Sequence, residues 1–158
     1  MIPYIAEALK VSEAEVLGTD KKYHIQKESG DIVSIRVLNQ YGQKKYGSEK
    51  IILDANLFDS FFNEKSINAI KMKGDSMHGY LEDGDIALFE RIEGLEDLED
   101  GKYVVQTKIA TSVKNLKFHI DGSVTISSEN PSYPPETVTS AGKDFDILGR
   151  VIGRILRN

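Results

Sequence analysis

Residues 70–90 read Ile-Lys-Met-Lys-Gly-Asp-Ser-Met-His-Gly-Tyr-Leu-Glu-Asp-Gly-Asp-Ile-Ala-Leu-Phe-Glu. Apolar residues alternate at both ends of this stretch: Ile70 and Met72 share one parity before the centre, and Ile86 and Leu88 share one after it. That pattern predicts strand, loop, strand. The loop carries Gly74, Gly79 and Gly84, the aspartates Asp75, Asp83 and Asp85, and Ser76. Glycine allows close backbone approach and conformations that other residues avoid. A serine on such a turn, beside free N–H groups, suits a nucleophile with an oxyanion site already in place. Gly-Asp-Ser is equally ordinary turn chemistry, so a base must be found before the serine acquires a role.

Lys114 is the candidate. Between Ser112 and Ile120, Lys114, Leu116, Phe118 and Ile120 share one parity, while Asn115, Lys117 and His119 share the other. On a strand, this sets Lys114 in the apolar row and Lys117 in the wet one. Burial disfavours the ammonium and lowers its pKa, and a neutral amine can take a serine proton. The same periodicity also describes a lysine that snorkels at a strand end.

Four motifs then recur in order: Gly74-Asp75-Ser76-Met77, Asp83-Gly84-Asp85, Val113-Lys114 and the run from Ser128 to Pro135. Together they resemble the C-terminal domain of LexA and phage-type repressors, self-cleaving serine peptidases related to signal peptidases and to UmuD. The resemblance spans roughly residues 31–158. It implies a mostly β, LexA/signal-peptidase-like fold. It makes Ser76 the nucleophile and Lys114 the general base, with the backbone N–H groups of Ser76 and Met77 as the oxyanion site. It also implies a homodimer, with part of the C-terminal segment Phe145–Leu156 in the interface, although core packing explains those apolar residues equally well.

Composition narrows the alternatives. With 158 residues and 40% hydrophobic content, one good core is expected. A net charge of −5 does not suit a surface built to grip phosphates. The absence of cysteine excludes thiol catalysis, disulfides and cysteine–zinc sites. His24, His78 and His119 are not spaced as metal ligands, and no phosphate-binding glycine loop occurs, so neither metal nor cofactor is expected. His78 lies near Ser76 but would have to fold back on its own turn to act as base. No apolar run reaches transmembrane length and Met1-Ile2-Pro3 opens no signal peptide, so a cytoplasmic protein is expected.

Residues 1–18 read as helical, with Tyr4, Ile5, Ala8 and Leu9 on one face, a capping box at Ser12–Glu15 and Gly18 as a stop. This stretch resembles the last helices of a helix-turn-helix domain, and it reads equally as a plain amphipathic helix. On the former reading DNA is bound through a missing N-terminal domain, and the chain is a fragment lacking its reader. Residues 19–30 read as linker, 31–38 as a strand with Val33, Ile35 and Val37 buried, and about 39–48 as a polar loop. Ile51–Leu53 reads as a short strand, and Asp54 as the cap of a helix reaching Phe62. Ile92–Gly101 reads as an acidic solvated loop. Lys102–Ile109, the Lys114 strand and Val124–Ile126 read as a meander with turns at Ala110-Thr111 and Asp121-Gly122. Phe145–Leu156 reads as a final strand pair in which Gly149 and Gly153 permit bulges.

In the resembled family the loop before the nucleophile carries the scissile bond, usually a small residue followed by glycine. Tyr41-Gly42 stands at the matching place and Tyr46-Gly47 nearby; no Ala-Gly is present there. The resemblance therefore implies a repressor inactivated by self-cleavage after Tyr41, triggered in the family by a RecA filament in an SOS-type response. The departure at Tyr41 supports a second reading, a non-cleaving dimerisation domain induced by an antirepressor or ligand. A UmuD-like polymerase accessory is a third.

Overall fold

In a computed structural model of the chain, residues 4–5, 25–26, 32–38, 46–57, 67–96, 98–139 and 145–157 are described. They form eleven strands: β1 (Tyr4–Ile5), β2 (Ile25–Gln26), β3 (Ile32–Leu38), β4 (Tyr46–Asp54), β5 (Ile67–Lys71), β6 (Ile86–Arg91), β7 (Gly101–Gln106), β8 (Thr111–Phe118), β9 (Val124–Ser127), β10 (Glu136–Val138) and β11 (Asp146–Arg157). The sheet runs β10-β9-β8-β7-β11-β6-β5-β3-β2, with β1 on β11 and β4 on β3. The fold is mostly β, as expected.

The opening stretch forms the expected hairpin. β5 and β6 pair antiparallel, with Ile70 opposite Ala87. Every residue from Ile67 to Ile70 and from Ile86 to Phe89 is buried, because the hairpin separates two packed clusters. Ile67, Ala69, Ile86 and Leu88 face one, with Val33, Ile35 and Leu53. Ile70, Ala87 and Phe89 face the other, with Met72, Met77, Leu81 and Val113. The period of two thus assigns alternate residues to alternate cores. A third cluster joins Tyr103, Val105, Leu116 and Val124 beyond β7.

Several expectations are corrected. The final segment is one continuous strand, not a strand pair. β11 pairs with β7 through Asp146–Arg150 and with β6 through Gly149–Ile155, and its register slips between Ile147 and Gly149 and again between Val151 and Gly153. Each bulge absorbs a residue and bends the strand, so the glycines allow curvature instead of reversal. Past the end of β6, Arg157 and Leu156 pair with Tyr4 and Ile5. These two residues are therefore strand and not helix: an open strand edge recruits an extended aromatic and β-branched pair. The rest of the helix expected over 1–18 lies outside the described residues.

Ile25–Gln26, expected as linker, pairs with Val33 and Ile32. Tyr46-Gly47, expected in the loop, begins β4, with Tyr46 opposite Leu38. The Asp54 carboxylate accepts the Asn56 amide at 2.8 Å and starts a 3-10 turn over Ala55–Leu57; the remainder of the expected helix lies outside the described residues. The β7–β8 turn closes one step earlier than expected, with the Thr107 amide donating to the Ala110 carbonyl at 2.8 Å, and Thr111 already in β8. Ile120 is fully exposed at the next turn, since β8 ends at Phe118.

Candidate active site

The loop between β5 and β6 is closed at its base by two backbone bonds, from Met72 N to Asp85 O at 2.7 Å and from Gly84 N to Met72 O at 2.9 Å. Gly74, Gly79 and Gly84 all take positive φ (85, 101 and 88°), the left-handed turns that glycine alone adopts freely. Between them the chain makes a tight turn: His78 N donates to Asp75 O, and Tyr80 N and Leu81 N both donate to Met77 O. Met77 and Leu81 are fully buried and anchor this turn in the core. Ser76 precedes Met77 and is half-buried. Among the described residues the amides of Ser76 and Met77 have no hydrogen-bond acceptor. Two adjacent backbone donors beside a serine hydroxyl form an arrangement able to receive an anionic oxygen.

Lys114 lies on β8 opposite Tyr103, with Leu116 opposite Gly101. Tyr103 and Leu116 belong to the third core cluster, so Lys114 occupies the apolar row, half-buried. Burial pushes its ammonium below its ordinary value of 10.5, and the nearby Glu136 carboxylate partly opposes that. Val113 is buried as well, against the second cluster, so both faces of β8 are covered at this point. Lys114 Nζ donates a hydrogen bond to Ser128 Oγ at 2.8 Å and stands 5.6 Å from the centre of the Tyr133 ring. A cavity of about 270 Å³ opens beside it, lined also by Ile126, Tyr133, Pro134 and Glu136.

The segment from Ser128 to Tyr133 joins the two. Asn130 N donates to the Ser76 carbonyl at 3.0 Å, and Asn130 Nδ2 to the Asp75 carbonyl at 3.0 Å. Tyr133 OH donates to Asp75 Oδ1 at 2.6 Å. Glu129 N lies 3.4 Å from Met77 Sδ, while its carboxylate accepts from Asn115 at 3.0 Å and pairs with Lys102 at 3.4 Å. One segment therefore holds the Ser76 turn at its backbone carbonyls and Lys114 through a hydroxyl. Among the described residues, Ser76 and Lys114 are not hydrogen-bonded to each other.

Tyr41 and Gly42, the expected scissile pair, lie outside the described residues. His78 is exposed and held by Glu82 at 2.7 Å; that contact raises the imidazole's pKa and lowers the carboxylate's. Sequence reasoning missed Ser128, Asn130 and Tyr133 as the partners that link Lys114 and the Ser76 turn through one segment. A signal existed in the meander: β9 pairs Asn115 with Ser127, so one further step sets Ser128 beside Lys114.

Among the described residues no group of three or more His, Cys, Asp or Glu is placed to hold a metal ion, and no helix is long and apolar enough to cross a membrane. No curated protein matches the chain. The sequence profile of the family described as Peptidase S24-like matches residues 37–152. That span includes Ser76, Lys114 and the whole segment between β9 and β10, and the chain accordingly belongs to the Peptidase S24-like family, the LexA- and UmuD-type peptidases.

Proposed function

We propose that the chain is the C-terminal part of a LexA-like or phage-type transcriptional repressor, and that it cuts its own backbone with a Ser76–Lys114 dyad. The observation that carries this reading is a half-buried amine, held below its ordinary pKa by burial, tethered to the same segment that binds the Ser76 carbonyl. Neutral Lys114 takes the Ser76 proton as Oγ bonds to the carbonyl carbon of Tyr41. The carbonyl oxygen becomes the oxyanion, held by the amides of Ser76 and Met77. The intermediate collapses with loss of the Gly42 nitrogen, which receives the proton from Lys114. Water then cleaves the Ser76 ester, with the same amine as base. Separation of a DNA-binding part from a dimerising part would relieve repression. Homodimerisation, DNA contact through a preceding domain and triggering by a RecA filament belong to this proposal.

The test is the intact mass after incubation at about pH 9 to 10, where lysine amines begin to deprotonate. Two fragments that meet between Tyr41 and Gly42, absent in Ser76→Ala and Lys114→Ala, support the reading. An unbroken chain after days overturns it. Tyrosine at the residue before the bond favours the second reading, a non-cleaving dimerisation domain that responds to an antirepressor; an unbroken chain that remains dimeric is its signature.

A further inference from the structure

Arg154 stands opposite Ala87 in the pairing of β11 with β6. Residues directly opposite on antiparallel strands share a face, and Ala87 belongs to the second cluster, with Met77 and Leu81. The neighbouring Ile155 faces the first cluster, so the parity of β11 sends an arginine along an apolar face. Alanine has no atom beyond Cβ and leaves that side chain free to cross to the β5–β6 loop. There Arg154 Nη1 donates to the Tyr80 carbonyl at 2.7 Å, and its Cζ lies 4.7 Å from the centre of the Tyr80 ring.

We propose that Arg154 is a positioning residue for the oxyanion site: it holds Tyr80 by both carbonyl and ring, and so fixes the turn on which the amides of Ser76 and Met77 are mounted. Its effect on rate rests on the dyad reading. The turn has two ends. At the first, Asn130 holds the carbonyls of Asp75 and Ser76. At the second, Tyr80 N and Leu81 N both donate to Met77 O, so a shift of Tyr80 is passed to Met77. The two amides of the oxyanion site lie between these clamps. A guanidinium suits the second one, because its planar fork donates in its own plane while its face stacks on an aromatic ring. Lys102 Nζ also lies 4.6 Å from the centre of the Tyr80 ring and pairs with Glu129 at 3.4 Å; it adds to the hold on the ring but makes no bond to the Tyr80 carbonyl. Donors stabilise a developing oxyanion only when already aimed at it, so a loosened turn slows the chemistry without altering the base.

Arg154→Met keeps an apolar stem and removes the donors, while Arg154→Lys keeps the charge without the fork. Hydrogen exchange near neutral pH at the amides of His78, Tyr80 and Leu81 reads the turn directly, because all three donate within it. Exchange there should rise roughly tenfold or more in Met and less in Lys, with the amides of the β8–β9 pairing unchanged. The plateau rate of self-cleavage should fall about tenfold in Met and less in Lys. Its pH midpoint should stay in place, since burial and Glu136 set the Lys114 titration and neither is altered. Turn exchange that is unchanged, or raised equally across β8–β9, overturns the proposal, as does an equal plateau rate or a displaced midpoint. Should Arg154→Met fail to fold, the same comparison of Lys with the unmodified chain decides. An unbroken chain whose turn amides alone exchange faster defeats the peptidase reading and leaves the hold of Arg154 on the turn in place.

Discussion

The carboxylate of Asp85 accepts the backbone amide of Arg157 at 2.6 Å, and its second oxygen accepts that of Glu82 at 2.8 Å. Asp85 is buried, so the end of the β5–β6 loop and the end of the last strand are fastened by one side chain. Asp85→Ala leaves two amides without their acceptor, at roughly 1–3 kcal/mol each, and a loss of about 3 kcal/mol is expected in urea unfolding. Asp85→Asn retains one oxygen and should lose less.

A β-carbon added at Gly149 would stand 2.3 Å from the Glu90 carbonyl oxygen and 2.6 Å from Phe89 Cδ2. The neighbour is backbone and cannot yield without breaking the pairing of β11 with β6. Gly149→Ala is therefore expected to cost about 3 kcal/mol or to prevent folding. Gly94→Ala, with nothing within 4 Å, should stay within about 0.5 kcal/mol. Thermal unfolding of the two variants side by side makes the comparison.

The depressed Lys114 pKa fixes the sign of two pH effects. Self-cleavage should rise with pH and level off below 10.5, the amine's ordinary value; a rate still climbing steeply there would refute the role of burial. Between the depressed value and 10.5 the unfolded chain holds a proton that the folded chain has released. Stability attributable to this group thus increases with pH across that window and is lost as pH falls towards the depressed value. Lys114→Met should be more stable than the unmodified chain at pH 7, with the gap narrowing on approach to 10.5. Half-exposure keeps the effect small. Urea midpoints at two pH values measure it.

His78 is exposed and bound to Glu82. His78→Ala should leave self-cleavage within about twofold and stability within about 0.5 kcal/mol. A collapse of the cleavage rate, read by intact mass, would move the general base from Lys114 to His78.

What the chain's own order determined was local. Alternation at Ile70/Met72 and Ile86/Leu88 implied the hairpin that the two cores confirm. Gly74, Gly79 and Gly84 marked turns that do take positive φ, and Gly149 and Gly153 marked bulges that are present. These features follow from parity and backbone sterics, which are properties of neighbouring residues. What the tertiary structure decided was which neighbour each exposed edge and polar group found. Tyr4-Ile5 became a strand because the end of β11 was open to them. One continuous β11 replaced a pair because it could serve β6 and β7 at once. Lys114 met Ser128 because β9 returns along β8 in one register. Pairing across the sheet is set by the competition of distant segments for hydrogen bonds and buried area, and no window of adjacent residues contains that competition.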